Sequence, residues 1–350
     1  MSNGLIPATI LTGFLGSGKT TLLKRVLTEA HGQKIAVIEN EFGEENIDSD
    51  ILVSDTSEQI VQLSNGCVCC TIREDLRSTL ADLAEKKRKG ELDFDRVVIE
   101  TTGLADPGPV AQTFFMDDEI AESYLLDSIL TLVDAKHADG QLDTRQEARR
   151  QVGFADQIFI SKTDIADAGA VEALAHRLKH MNPRAPQKHV HFGEVPLTEV
   201  FDLRGFNLNA KLDIDPDFLQ ADAHDHDHDH HDHDHDHEHG EDCDHPHHHH
   251  HDDDVKSIVF RADRAFNPAR LEDFLAAIVQ VYGPKMLRYK GVLYMKGSDR
   301  KVIFQGVHQL MGSDLGPKWA PGEKKGSKMV FIGIDLPRDI LLQGLEQCLA

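Results

Sequence analysis

Short apolar runs alternate with longer amphipathic stretches in the first part of the chain. The predicted strands cover residues 8–12, 34–39, 96–100, 128–134 and 157–161. Because these runs lack polar alternation, we expect each strand to be buried on both faces, as in a parallel sheet covered by helices. The segments between them are long enough for crossover helices. The pattern therefore predicts an α/β domain with a mostly parallel sheet over residues 1–215.

Residues 255–350 have a different pattern, in which strand-like runs follow one another. Asn267 is predicted to cap a helix that begins at Pro268 and ends near Tyr282, before Gly283 and Pro284. Strands are expected at 256–260, 286–295, 301–306 and 328–334, and a final helix at 337–349. This pattern predicts a small α+β domain.

Residues 216–254, between these regions, are predicted to form a linker. Fifteen of the 22 histidines lie between His224 and His251, and residues 222–254 carry 14 acidic side chains but no Lys or Arg. Such a segment cannot form a core, so we expect it to be disordered. Imidazoles are largely neutral at pH 7 and bind zinc, nickel, cobalt or copper. The linker is therefore expected to hold divalent metal, and a merely solvating acidic linker is the alternative.

The formal charge is −23, and it is spread unevenly along the chain. Residues 1–221 carry 22 basic and 37 acidic side chains, whereas residues 255–350 carry 15 basic and 9 acidic ones. This balance argues against a broad basic surface for nucleic acid and favours cations as partners. No apolar run reaches the roughly 18 residues of a membrane span, and no signal peptide is evident. Five cysteines do not make a disulfide framework in a chain of this size, so a cytoplasmic protein is expected.

A glycine-rich turn lies directly between the first predicted strand and a predicted helix over residues 20–28. Its sequence, GFLGSGKT over residues 13–20, fits the pattern G-x-x-x-x-G-K-[ST]. In this pattern backbone amides surround phosphate oxygens, Lys19 reaches the β and γ phosphates, and the Thr20 hydroxyl ligates Mg²⁺. The predicted nucleotide contacts of the turn are Gly13, Gly16, Ser17, Gly18, Lys19, Thr20 and Thr21.

Glu100 ends a buried strand, where a phosphate-loop enzyme needs a carboxylate near the magnesium ion. The glutamate side chain is longer than that of aspartate, so Glu100 is expected to contact the magnesium ion through a water molecule. Gly103 follows, and its backbone amide is placed to sense the γ-phosphate. The candidate catalytic residues are Lys19, Thr20 and Glu100. A solvated acid at a strand end is the alternative for Glu100.

The sequence SKTD at residues 161–164 follows a late strand of the same sheet. A segment [NTS]-K-x-D at this place recognises guanine in GTPases. The Asp164 carboxylate would accept hydrogen bonds from N1–H and the exocyclic amino group of guanine, and Lys162 would pack over the base. Adenine offers neither donor in that geometry. GTP is therefore the expected nucleotide.

Cys67, Cys69 and Cys70 lie on a turn before a helix that is predicted to begin at Thr71. Thiolates favour zinc or another late transition metal. Three cysteines need a further ligand to complete a tetrahedral site. The spacing alone does not choose among Glu39, Glu41 and Glu44, which follow the second strand, and inert or redox cysteines are the alternative.

The segments GFLGSGKTTLL, VIENEFGE, NGCVCC, VIETTGLADPGP and SKTD occur in this order. Together they resemble the CobW-type (YjiA-like) family of metal-binding P-loop GTPases, relatives of the urease and hydrogenase nickel-insertion GTPases. MLRYKGVLY, FQGV and MVFIGI resemble the C-terminal domain of that family. The resemblance implies a metallochaperone that holds its metal between two switch regions. It also implies that Cys67, Cys69, Cys70 and Glu39 are metal ligands, with Thr20 on the magnesium ion.

Switch loops are ordered by the γ-phosphate and Mg²⁺ and relax after hydrolysis. We therefore expect GTP to gather the metal ligands and slow hydrolysis to release the ion to a client metalloprotein. Zinc is the expected metal by the Irving–Williams order, with cobalt or nickel possible. The alternatives are a zinc store or sensor in which GTP has a structural or regulatory role, a cobalt chaperone for cobalamin synthesis, and a P-loop kinase, which the SKTD segment disfavours.

The C-terminal domain offers no catalytic constellation. His308 is expected to be a packed or surface histidine, and Trp319 a packing anchor. Arg288 and Lys290 are expected to lie on a solvated face.

Overall fold

A parallel sheet forms the centre of the first half of the structure. The computed structural model describes residues 5–28, 33–40, 60–63, 71–203 and 254–350. In these residues the sheet has the order β3-β2-β4-β1-β5-β6-β7, and every neighbouring pair is parallel. Its strands are β1 (Ile6–Gly13), β2 (Ile35–Asn40), β3 (Ile60–Leu63), β4 (Arg96–Glu100), β5 (Tyr124–Asp134), β6 (Gln157–Ser161) and β7 (Gln187–Val190). The predicted α/β class is confirmed.

Helices connect these strands and cover the sheet. They are α1 (Lys19–Thr28), α2 (Thr71–Lys89), α3 (Pro107–Met116), α4 (Asp118–Ser123), α5 (Ala138–Thr144), α6 (Gln146–Phe154) and α7 (Ala168–Met181), and a 3₁₀ turn spans Leu197–Glu199. Leu22 and Leu23 of α1 pack with Leu130, Leu132 and Phe159 in one buried cluster. Burial of both strand faces explains why the strands have near-continuous apolar sequences.

The strand predictions fail at the sheet edge and at the start of β5. β7 was not expected, because Lys188 and His189 are exposed and leave no apolar run. β5 begins at Tyr124, four positions before the predicted start, and includes the buried Asp127. An acidic residue in an apolar run hides the beginning of a strand from its hydropathy pattern.

An antiparallel sheet forms the second half, in the order β11-β10-β9-β12-β8. Its strands are β8 (Val255–Ala262), β9 (Met286–Leu293), β10 (Arg300–Val307), β11 (Leu310–Lys318) and β12 (Ser327–Ile334). α8 (Pro268–Tyr282), a 3₁₀ turn (Gly283–Lys285) and α9 (Arg338–Gln347) complete it. Asn267 caps α8, as predicted, by accepting a hydrogen bond from the Arg270 amide. β11 was not predicted, because Gly312, Gly316 and Pro317 interrupt its pattern.

The antiparallel sheet has two different faces. Tyr289, Phe304 and Phe331 pack in one cluster with Leu275 of α8 and Leu341 of α9. The opposite face, called the outer face here, packs on α6 and α7. A Cβ atom added at Gly153 of α6 would lie 2.7 Å from Leu287 Cδ1, and Ser257 Oγ donates a hydrogen bond to the His180 carbonyl at 3.1 Å.

The predicted linker over 216–254 lies outside the described residues except for Asp254. That residue precedes β8 and forms an ion pair with Arg149 of α6. The domain boundaries at 215 and 254 stay predictions. Among the helices of the described residues, none is long and apolar enough to cross a membrane.

Candidate functional site

The glycine-rich turn joins β1 to α1 at the carboxyl end of the parallel sheet. Gly13 has a φ angle of 143°, and a Cβ atom there would lie 2.4 Å from the Leu132 carbonyl oxygen. No side chain is accommodated at that position. The Ser17 amide donates a hydrogen bond to the Phe14 carbonyl at 3.2 Å and closes the turn. The tight loop that the motif predicts between a strand and a helix is therefore present.

Lys19 is buried at the start of α1, and its ammonium group lies over the turn. Nζ donates hydrogen bonds to the carbonyls of Gly13 at 2.9 Å and Phe14 at 3.3 Å. Burial lowers the pKa of Lys19, although the charge of Glu100 partly opposes this effect. Two neutral carbonyls thus hold a cation beside the loop that is predicted to bind phosphate.

Thr20, in the first turn of α1, lies next to Glu100, the last residue of β4. Thr20 Oγ1 donates a hydrogen bond to Glu100 Oε1 at 3.0 Å, although 80 positions separate the residues in sequence. A hydroxyl and a carboxylate oxygen are hard ligands of the kind that Mg²⁺ prefers. The donor set at the ends of β1 and β4 therefore fits a magnesium ion.

The segment after β4 lies against the phosphate loop. Thr101 Oγ1 donates a hydrogen bond to Thr12 Oγ1 at 2.9 Å, and the Thr101 amide donates to the Leu11 carbonyl at 3.0 Å. A Cβ atom at Gly103 would lie 2.6 Å from the Leu15 amide nitrogen. Glycine at this position lets the two loops touch, and it places Gly103 beside the predicted nucleotide.

Gln151 of α6 holds this segment, and sequence reasoning missed it. The side chain is buried, and Nε2 donates hydrogen bonds to the carbonyls of Gly103 at 3.1 Å and Ala105 at 3.0 Å. The neighbouring Arg150 pairs with Asp106 at 2.5 Å, and Asp106 caps α3 through the Gly108 amide. One glutamine in an amphipathic helix belongs to no motif, so only the packing of α6 identifies it.

His308, in the turn between β10 and β11, lies against the end of α6 and the start of α3. Its ring packs against Phe154 with 5.3 Å between centroids, and Gly108 lies directly beside it. Burial lowers the pKa of His308, while the charge of Asp106 opposes the shift. The histidine is packed, as expected, and it connects the antiparallel sheet to the start of α3.

The SKTD segment lies beside the phosphate loop at the end of β6. Ser161 Oγ donates a hydrogen bond to the Ser17 carbonyl at 2.7 Å. Lys162 has a positive φ angle of 59°, and its Nζ lies 2.8 Å from Asp134 Oδ2. The Asp164 side chain remains half exposed, with His191 Nδ1 3.5 Å from its Oδ1. An accessible carboxylate thus lies next to the predicted phosphate site.

Asp134, at the end of β5, orients Lys162 and is a second residue that sequence reasoning missed. Its carboxylate also accepts a hydrogen bond from His137 Nδ1 at 2.9 Å. Burial raises the pKa of Asp134, but the hydrogen bonds from Lys162 and His137 outweigh it and hold the pKa below its usual range. The carboxylate is therefore ionised at neutral pH and fixes the lysine of the SKTD segment.

Of the predicted metal ligands, Glu39 and Thr20 lie in the described residues. Glu39 is 4% exposed and lies opposite Glu100 in the register of β2 and β4. Cys67, Cys69 and Cys70 lie outside the described residues, as do Glu41 and Glu44. Within the part of the chain that is described, no group of three His, Cys, Asp or Glu side chains could hold a metal ion.

The expected solvated face at Arg288 and Lys290 is wrong. Arg288 is 2% exposed and pairs with Asp156, because α6 covers this part of the outer face. Lys290 is half buried on the same central strand. Trp319 is buried and packs edge-on against Tyr294, as expected of a packing anchor.

Comparisons with known proteins cover nearly the whole chain. Residues 7–188 match the nucleotide-binding domain of CobW/HypB/UreG proteins, and residues 255–349 match the cobalamin synthesis protein cobW C-terminal domain. The chain is 41% identical to the zinc chaperone YjiA of Escherichia coli (strain K12) over 335 residues, which are 95% of this chain and 96% of that protein. It is 30% identical to the zinc chaperone CobW of Sinorhizobium sp over 361 residues, with 95% and 94% covered.

The fold agrees with a solved structure of the first relative. The crystal structure of the Zn(II)-bound YjiA GTPase from E. coli matches with a TM-score of 0.74 at 34% identity, over 99% of each chain. Both domain matches and the length of the similarity to YjiA lead to the same assignment. This chain belongs to the CobW/HypB/UreG family of P-loop GTPases.

Proposed function

We propose that this chain is a GTP-hydrolysing metallochaperone that carries zinc and delivers it to a client metalloprotein. One observation carries the proposal: Glu39 lies in register with Glu100, whose carboxylate accepts the Thr20 hydrogen bond. Residues in register on neighbouring strands project to the same face of a sheet. A candidate ligand for the metal cargo is thus one strand away from the carboxylate of the nucleotide site.

The relatives support zinc as the cargo. YjiA and the Sinorhizobium CobW protein are both named zinc chaperones, and each is similar over more than nine tenths of this chain. We propose Cys67, Cys69, Cys70 and Glu39 as its ligands, because three thiolates and a carboxylate complete a four-coordinate site. Cobalt and nickel suit the same ligands, but a tetrahedral, thiolate-rich ligand set is typical of zinc. A cytoplasmic location, where thiols stay reduced, belongs to the same proposal.

The described residues have different proposed roles in binding and hydrolysing GTP. Lys19 neutralises phosphate charge beside the loop, and the Thr20 and Glu100 oxygens would hold Mg²⁺, which supplies positive charge to the phosphates when bound. The Gly103 amide is proposed to contact the γ-phosphate, and the hydrogen bond from Gln151 to the Gly103 carbonyl supports this role because it fixes the segment. Asp164 accepts the guanine donors, while Asp134 holds Lys162 over the base. We infer slow hydrolysis, because these roles include no arginine finger and no glutamine that orients water.

Nucleotide and zinc are expected to change each other's affinity. If GTP orders the loops after β2 and before α2, it gathers the zinc ligands, and hydrolysis loosens them again. Linkage requires that GTP changes zinc affinity by the same factor as zinc changes GTP affinity. The ion would then pass to the client in the GDP state.

The first experiment measures zinc affinity of the full chain with a GTP analogue and with GDP. A chelator buffer sets the free zinc, so the His/Asp-rich segment does not deplete it. We expect affinities that differ by about fivefold or more. The difference should vanish in the Cys69→Ala/Cys70→Ala variant and persist in Cys348→Ala, a matched control in the core under the antiparallel sheet. Equal affinities in both nucleotide states would overturn the coupling.

GTP and ATP turnover with and without buffered zinc completes the test. GTP-selective hydrolysis that rises with zinc, and loses this rise in Cys69→Ala/Cys70→Ala, supports the chaperone. A zinc store is the second candidate, favoured by the fifteen histidines between His224 and His251. It predicts many bound zinc ions and turnover that ignores them.

A further inference from the structure

Two cations of β9 lie on the outer face of the antiparallel sheet. Arg288 and Lys290 are alternate residues of one strand and therefore share a face. Tyr289, between them, packs in the opposite core with α8 and α9. Arg184, in the segment after α7, is the third cation of the group: its amide donates to Asn182 Oδ1 at 3.2 Å, and Asn182 Nδ2 donates at 2.9 Å to the carbonyl of Ala155, the residue before Asp156. We call Arg184, Arg288, Lys290 and the nearby Asp156 the basic junction.

Both oxygens of the one carboxylate of the basic junction already have partners. Arg288 Nη2 lies 2.5 Å from Asp156 Oδ1, and Arg288 Nη1 lies 2.8 Å from Oδ2. Nη1 also donates to the Phe154 carbonyl at 3.1 Å, and Asp156 Oδ2 accepts a further hydrogen bond from the Ile129 amide. The side chains of Asp156 and Arg288 are both buried, and both oxygens of the carboxylate are engaged in this two-point pair.

Lys290 and Arg184 have no such partner. Within the described residues, neither side chain forms a hydrogen bond or an ion pair. Burial lowers the pKa of Lys290 to about 7, and the charges of Arg184 and Arg288 add to the shift. With all three cations protonated, the junction has two positive charges more than its single carboxylate neutralises.

Three other buried cations of the described residues pair with carboxylates of the chain. Arg96 pairs with Asp202 at 2.6 Å, Arg177 pairs with Asp143 at 2.7 Å, and Lys301 pairs with Glu323 at 2.5 Å. Burial of an uncompensated charge is costly, so a cluster of this kind is stabilised by an anion from outside. Lys290 and Arg184 both keep some exposure, so an anion in solution can reach them.

We propose that the basic junction is a binding site for a small oxyanion, that is, a phosphate, sulfate or carboxylate group. The Arg184 guanidinium and the Lys290 ammonium contact the anion, and Arg288, fixed by Asp156, adds its positive charge behind them. Gln305 of β10 is in register with Lys290, so the two residues share the outer face. Its side-chain amide adds an uncharged hydrogen-bond donor to that face. Nothing in the nucleotide chemistry of the first sheet uses these residues.

Sulfate titration of the full chain tests the proposal. The protein is saturated with GDP and Mg²⁺, so the phosphate loop is filled, and chloride keeps the ionic strength constant. Calorimetric titration and the midpoint of thermal unfolding should both show saturable binding. Lys290→Gln and Arg184→Gln should each weaken binding about tenfold or more, since each removes a charged hydrogen-bond donor. Lys290→Arg should retain most of the affinity.

Lys324→Gln is the matched control, because Lys324 is an exposed lysine of the same half that pairs with Asp263. It removes the same charge and should leave sulfate binding unchanged. Equal binding by wild type, Lys290→Gln and Arg184→Gln would overturn the proposal, and so would the absence of saturable binding in wild type. Arg184 lies in a half-buried segment outside the sheet, so its variant tests the site even if Lys290→Gln fails to fold.

The pH dependence of sulfate binding gives an independent readout, because the charge of sulfate is constant near neutral pH. The charged groups that face Lys290 are Arg288 on its own strand, Arg184, Asp156 and Lys328 on the adjoining β12. Lys290 loses its proton above about pH 7, so wild-type binding should weaken there, whereas binding by Lys290→Arg should not. A flat wild-type profile would contradict a direct contact by Lys290.

Phosphate and acetate, titrated in the same way, distinguish the two sources of the anion. Tighter binding of phosphate supports a free phosphate as the occupant. Tighter binding of acetate supports a carboxylate as the occupant.

Discussion

The carboxyl edge of the parallel sheet and the basic junction bury charge in opposite ways. At the sheet edge, Lys19 is held by two backbone carbonyls, and Asp134 is neutralised by Lys162. At the junction, Asp156 neutralises Arg288, but Lys290 remains without a partner among the described residues. In the first region the chain thus supplies hydrogen-bond acceptors to Lys19 and Lys162, while in the second region the positive charges outnumber the one carboxylate.

This difference separates two kinds of site. The sheet edge is built for a large ligand that brings its own charges and counterion, so its groups are held ready by internal bonds. At the junction, Arg184 and Lys290 have no hydrogen-bond or ion-pair partner among the described residues, and both are only partly exposed to solvent. Such a charge favours a small anion, or it lowers stability when no anion is bound.

The largest expected effect follows from removing the carboxylate of the junction. Asp156→Ala leaves Arg184, Arg288 and Lys290 without any opposite charge, and it also removes the acceptor of the Ile129 amide. We expect the free energy of unfolding to fall by about 3–5 kcal/mol. Urea denaturation of the GDP-bound protein measures it.

A double variant separates charge from packing at the same place. Asp156→Ala/Arg288→Met removes the pair together, so it should recover part of the stability that Asp156→Ala loses. If the double variant is less stable than the single one, uncompensated charge is not what makes the junction different from the sheet edge.

A smaller effect is expected at Gln151, which holds the segment after β4 by two hydrogen bonds. Gln151→Leu fills similar space but loses both donors, so Gly103 is no longer fixed beside the phosphate loop. We expect kcat for GTP to fall about tenfold with a much smaller change in KM, because the loss acts on the γ-phosphate contact.

Gln146→Leu, an exposed change in the first turn of the same helix, is the control and should leave kcat unchanged. A rise in KM alone would show that Gln151 serves nucleotide binding and not the positioning of Gly103.

The smallest expected effect concerns how the free energy of unfolding depends on pH through Asp134, at the carboxyl edge of the parallel sheet. The folded-state pKa of Asp134 lies below its value in the unfolded chain, so its contribution to stability is present above about pH 4 and is lost as the pH falls through the folded pKa. Because Lys162 is 37% exposed, solvent screening limits this contribution to about 1 kcal/mol.

Asp134→Asn should therefore be less stable than wild type at neutral pH, and the difference should shrink as the pH falls below about 4. Glu172→Gln, a change at an exposed position of α7, should show no such trend. A difference between wild type and Asp134→Asn that is constant with pH would mean that the ion pair with Lys162 contributes nothing.

Motifs with local geometry were predictable, and partners from distant segments were not. The turn over residues 13–20 specifies its own backbone path, because glycine is required where φ is positive. Glu100 was expected near the magnesium ion, and the structure places its carboxylate within hydrogen-bond distance of the Thr20 hydroxyl. Gln151 and Asp134 were missed, since a single polar residue in a helix or at a strand end belongs to no pattern.

The sequence by itself determined the parallel sheet and the phosphate loop, because apolar runs and glycine spacing act over a few neighbouring residues, and its ordered motifs carried the resemblance to the GTPase family. Only the tertiary structure decided that Arg288 is buried on Asp156 and that Lys290 is half buried near two further cations. The alternation of side chains between the two faces of β9 is the same whether the outer face is exposed to water or packed against α6. Burial of that face, and with it the charge balance of the junction, depends on a helix more than 130 positions away in sequence, as in the 134-residue separation of Arg288 and Phe154.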